Sequence, residues 1–80
     1  MILEVTFDGC KKGKTHDKGV DFVEIYFREF DADGVIDFEQ KKFRSYDAGV
    51  MGTCGMLASG DIINLDIDVR DAYVRGVQKV

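Results

Sequence analysis

From Asp61 to Arg70 the chain sets Ile63, Leu65, Ile67 and Val69 against Ile62, Asn64, Asp66, Asp68 and Arg70. Successive side chains on a strand point to opposite faces, so this stretch predicts a strand with one face on a core and the other toward water. The same period of two recurs elsewhere. Ile2–Phe7 sets Leu3, Val5 and Phe7 against Ile2, Glu4 and Thr6, and Val20–Phe30 sets Val23, Ile25 and Phe27 against Phe22, Glu24, Tyr26, Arg28 and Phe30. After Asp31-Ala32-Asp33-Gly34, a tight turn with glycine for a positive φ, alternation resumes over Val35–Tyr46; a break in parity near Lys41-Lys42 predicts a β-bulge. Tyr73–Val80 is a fifth strand, bent at Gly76.

Between the third and fourth strands, Asp47–Gly60 has no strand period. Met51, Cys54 and Leu57 or Ala58 recur three to four apart, which predicts a short helical turn plugging the core. Gly49, Gly52 and Gly55 would each cost such a helix about 1 kcal/mol, so a loop is the alternative. Three strands, a helical turn or loop, then two strands is the layout of an all-β, five-stranded OB-like barrel. Eighty residues allow one such domain, spanning 1–80.

The longest apolar runs are a few residues, against the ~20 needed to cross a bilayer, and Met1–Phe7 contains Glu4 and no basic lead. Neither a transmembrane helix, a membrane partner nor a signal peptide is expected. Cys10, Cys54 and His16 have no metal-ligand spacing, so reduced thiols in a cytoplasmic protein without metal or cofactor are expected. Asp31, Asp33 and Asp37 with Gly34 imitate part of an EF-hand loop. Glu29 and Gln40 stand where the end ligands belong, however, and Val23–Phe30 has strand rather than helix periodicity. A hairpin turn with a solvated acidic tip is the expectation. Asp66 and Asp68 share an outward strand face with no base beside them, and Cys10 has no base partner, so no enzyme is expected.

The net charge of −4 speaks against a phosphate-binding surface until the charges are located. Asp8–Gly19 reads as a long mobile loop in which Lys11, Lys12, Lys14 and Lys18 oppose only Asp17. Phe22, Tyr26 and Phe30 crowd the second face of the second strand with Arg28, although Val23, Ile25 and Phe27 suffice for the core. They form either a stacking platform for bases or packing inside a curved barrel or subunit interface. Lys41, Lys42, Arg44 and Tyr46 extend the basic and aromatic character onto the third strand. These features predict binding of single-stranded DNA or RNA through Lys11, Lys12, Lys14, Lys18, Phe22, Tyr26, Arg28, Lys42, Arg44 and Tyr73. The alternative is a small acidic protein-interaction module or inhibitor that docks its hairpin or fourth strand on a basic protein partner.

The opening MILEVTF, the basic glycine-bearing loop ending in Lys18-Gly19, and Phe22 and Glu24 leading into a long hairpin strand through Phe27 resemble the gene V-type single-stranded-DNA-binding proteins of filamentous phages. That resemblance implies a five-stranded OB-type barrel that works as a homodimer in the infected bacterial cell and coats single strands cooperatively without chemistry. It further implies that Lys11–Lys18 is the DNA-binding wing and that Phe22, Tyr26 or Tyr73 stacks on bases.

Overall fold

A computed structural model describes residues 1–80, ordered as β1 (Ile2–Lys14), β2 (Asp21–Phe30), β3 (Ile36–Ser45), α1 (Ala48–Cys54), β4 (Ile62–Asp68) and β5 (Tyr73–Lys79). The strands hydrogen-bond in the order β1-β2-β3-β5-β4, and β4 pairs back onto β1, so the sheet closes into a five-stranded barrel. Closure removes the free edges that a five-stranded open sheet would leave unpaired. The predicted all-β barrel, with its short helix between strands three and four, is the observed architecture.

Alternation fills the inside. Val5, Phe7, Val23, Ile25, Phe27, Ile63, Leu65, Ile67, Val74 and Val77 point inward, and Val50 and Cys54 of α1 close the same cluster. Each such fully buried side chain contributes about 1.5–3 kcal/mol relative to exposure. Asp47 caps α1, its Oδ1 accepting the Val50 N–H at 3.0 Å. The buried stripe of α1 is therefore Val50 and Cys54, with Met51 and Leu57 packed at its margin and Ala58 exposed. Val69, expected to point inward, instead lies past the end of β4 in the exposed turn to β5.

The β3–β5 seam is the one parallel pairing, a single register pair of Arg44 with Tyr73. Buried Ser45 reinforces it. Its Oγ donates to the Val74 carbonyl and accepts the Asp47 N–H, joining β3, β5 and the start of α1.

Two boundaries differ from the expectation. The basic segment after Phe7 is not a long mobile loop, because β1 runs on to Lys14 and pairs with β2 as far as Lys14↔Asp21. The turn is confined to Thr15–Val20, where Gly19 takes φ +63° and the Thr15 Oγ1 accepts the Val20 N–H. The pattern disappears because the register shifts between Phe7 and Gly9, at the bulge that carries Asp8. Beyond it the two-stranded ribbon carries exposed lysines on both faces, so no apolar alternation marks it.

In β3 the irregularity lies not at Lys41-Lys42 but between the pairs Arg28↔Gln40 and Phe30↔Ile36. There Asp37 Oδ1 takes the Glu39 N–H at 3.0 Å, drawing that donor into a local turn. At the hairpin tip Asp31 Oδ1 accepts the N–H groups of Asp33 and Val35, and Gly34 has φ +78°. Strands flank this acidic turn on both sides, as the sequence periodicity requires. No group of three or more His, Cys, Asp or Glu side chains comes together to hold a metal ion. No helix is long and apolar enough to cross a membrane.

Candidate functional site

Residues opposite one another on antiparallel strands share a face, so the register reads out the outer surface of the β1–β2–β3 sheet. Gly9, Lys11 and Gly13 lie opposite Tyr26, Glu24 and Phe22, while Glu24 and Tyr26 lie opposite Arg44 and Lys42. Glycine at position 13 shapes this surface. A Cβ there would stand 2.8 Å from the Phe22 Cζ, so its absence lets the phenyl ring lie down on the β1 backbone.

With the ring flat, the Arg44 guanidinium stacks 3.9 Å from its centroid and donates to the Tyr46 hydroxyl at 3.3 Å. Tyr46 meets Phe22 edge-on at 6.2 Å between centroids and Tyr73 at 5.0 Å. The result is a continuous row, Phe22–Arg44–Tyr46–Tyr73, crossing β2, β3 and the start of β5. The neighbouring Tyr46 holds the Tyr73 hydroxyl above its ordinary pKa.

The cations proposed from sequence divide into groups. Arg28 forms a bidentate pair with Asp8, with Nε at 3.0 Å and Nη2 at 2.9 Å from the carboxylate. The Asp8 side chain is only 10% exposed and also accepts from Gln40, so this guanidinium is committed to the bulge. Lys42 reaches Glu24 at 3.4 Å and Lys14 reaches Asp21 at 2.9 Å. Lys11, Lys12 and Lys18 make no ion pair, but only Lys11 shares the face of the aromatic row. Lys12 lies opposite Val23 and Lys14 opposite Asp21, on the other side of the ribbon, while Lys18 sits on the turn. Extension of β1 into a strand thus splits the four lysines that a loop would have pooled.

Of the aromatic candidates, Phe22 and Tyr73 belong to the row, and Tyr26 sits farther down the same face of β2 between Gly9 and Lys42. Two participants were absent from the sequence-based set. Tyr46 shares the parity of Arg44, two residues away, and that signal was present in the alternation of the third strand. Gly13 gave no signal, because its role depends on a ring brought from the next strand. At the Tyr73 end of the row the surface turns acidic: Asp68 of β4 lies opposite Tyr73, and Asp66 and Asp68 are met by Arg75 at 3.4 and 4.0 Å, Asp68 also by Arg70. Comparison of the chain with protein-family models, with curated proteins and with solved structures finds no match.

Proposed function

We propose that the protein binds single-stranded nucleic acid, without catalysis, across the outer face of β1, β2 and β3. The observation that carries this is the row Phe22–Arg44–Tyr46–Tyr73, with Lys11 on the same face. Bases stack on exposed rings and on guanidinium planes at about 1–3 kcal/mol each with little sequence preference, and lysines beside them follow the phosphates. The location agrees with that chemistry. OB-fold barrels take oligonucleotides on the face of strands two and three, flanked by the connections between strands one and two and between four and five. Here the β1–β2 ribbon and Tyr73, just after the β4–β5 turn, flank the same two strands. On this view the barrel is an OB-fold, and the ribbon Lys11–Lys18 corresponds to the gene V-type wing.

Anisotropy of a labelled oligo-dT or oligo-U at ~20 mM salt tests the proposal. Binding should weaken steeply by ~200 mM salt. Arg44→Ala and Tyr73→Ala should each weaken it about ten-fold, and Lys11→Ala more than Lys12→Ala, which lies on the other face. No binding at low salt removes the proposal, and equal effects of Lys11→Ala and Lys12→Ala remove the assigned face. The alternative, docking on a basic protein, draws support from the β2–β3 hairpin tip. It draws none from β4, whose carboxylates already meet arginines.

A further inference from the structure

The tip of the β2–β3 hairpin carries four carboxylates, Asp31, Asp33, Asp37 and Glu39, and no cation between them. Among them Phe38 is 100% exposed and Val35 60% exposed, with Ile36 beside them. Phe38, Val35 and Ile36 together give the tip exposed apolar area rimmed by charge, which a complementary surface would remove from water. The carboxylates select a cationic counterpart for it. At the other end of β2, the β1–β2 ribbon carries Lys11, Lys12 and Lys18, none of them ion-paired, beside the exposed apolar Val20. Lysine stems cover apolar surface while their ammonium groups stay solvated, so this end can seat a ring and neutralise the carboxylates around it.

The two ends cannot meet within one chain. They are joined by the ten residues of β2, about 33 Å of extended backbone, in a molecule 43 Å long. Complementary surfaces at opposite ends of a rigid body, meeting end to end, make a heterologous contact that repeats from copy to copy; copies lying side by side and antiparallel would instead close on a two-fold axis as a dimer. We infer that the acidic, Phe38-bearing tip of one copy docks on the lysine ribbon of a second copy, so that the protein assembles head to tail. This differs from the two-fold homodimer that the family resemblance implies, and it needs no nucleic acid.

Sedimentation of the nucleic-acid-free protein at ~20 mM and ~500 mM salt tests it, with circular dichroism to confirm folding of each variant. Wild type should form a concentration-dependent series of oligomers at low salt that dissociates at high salt. Phe38→Ser should weaken association at least about ten-fold. Asp33→Lys with Asp37→Lys should abolish it, as should Lys11→Glu with Lys18→Glu. An equimolar mixture of those two double variants should restore a one-to-one complex, because the unchanged acidic tip of the ribbon variant then faces the unchanged lysine ribbon of the tip variant, whereas the altered tip, with two lysines against Asp31 and Glu39, has no net charge. A monomer under all conditions, a dimer indifferent to these substitutions, or a mixture that stays monomeric would overturn the inference.

Discussion

Ala72 is the one residue other than glycine with a positive φ, +57°, and it sits in the turn that returns β4 to β5. Its N–H donates to the Asp68 carbonyl at 2.7 Å, so the conformation is held by the turn. A left-handed alanine costs roughly 1–2 kcal/mol, part of which glycine would give back as greater freedom of the unfolded chain. Ala72→Gly should therefore raise stability by about 0.5–1 kcal/mol, read as a higher urea midpoint at an unchanged slope. A second consequence at this scale concerns the two thiols. Burial, with Cys10 beside it, pushes Cys54 up to about 11 from its usual 9.0, against a smaller opposing effect of Lys12. The fold favours the neutral thiol, so this contribution is whole below pH 9 and drains away as pH rises toward 11. Wild type should lose more stability between pH 8 and pH 10.5 than Cys54→Ala does, and a disulfide reagent at pH 8 should modify the half-exposed Cys10 well before Cys54. Equal losses, or equal labelling rates, would contradict the assigned burial.

Elements were legible wherever one face was buried. β4 and the inward residues of β2 follow directly from alternation, because a one-residue slip would turn Ile63, Leu65 and Ile67 to water. The second half of β1 was not legible. It is a strand because Gly9–Lys14 pairs with Tyr26–Asp21, and past Cys10 the residues on the inward side of β1 are the exposed Lys12 and Lys14, so no apolar period marks it. The site shows the same division. Arg44, Phe22 and Tyr73 stand out by residue type, but the contact that makes them a row depends on Gly13, which only three-dimensional register brings under a ring. Gly13→Ala isolates that dependence. The new methyl would displace the Phe22 ring and separate it from Arg44, while β1 remains paired. Oligonucleotide affinity should fall several-fold with stability changed by no more than about 1 kcal/mol, and loss of the Phe22 ring-current shift on the Arg44 side-chain protons should report the displacement. Ser45→Ala makes the converse test at the β3–β5 seam. Leaving the buried Val74 carbonyl without its donor should cost about 1–3 kcal/mol and spare the aromatic row.

The molecule as a whole divides into a barrel and two hairpins that project from it in opposite senses. Every residue from Asp31 to Gln40 is exposed, whereas Val5, Val23, Ile25, Phe27, Ile63 and Leu65 have no solvent exposure at all. Opening the barrel staves requires breaking the shared core, so their amides exchange only through global unfolding; the tip can open by losing local turn hydrogen bonds at Asp31 and Asp37. Hydrogen exchange should accordingly be slowest at Val5, Ile25, Phe27 and Leu65, with protection approaching the global stability, and fastest at Asp33–Glu39. The ribbon Cys10–Lys14 should fall between them, because its ladder to β2 is complete but its faces are mostly exposed. Concentration adds a further discrimination. If copies associate through the tip and the ribbon, raising protein concentration at low salt should slow exchange at both ends of β2 together while leaving the core unchanged. Slowing at only one end would mean that the two ends are not partners.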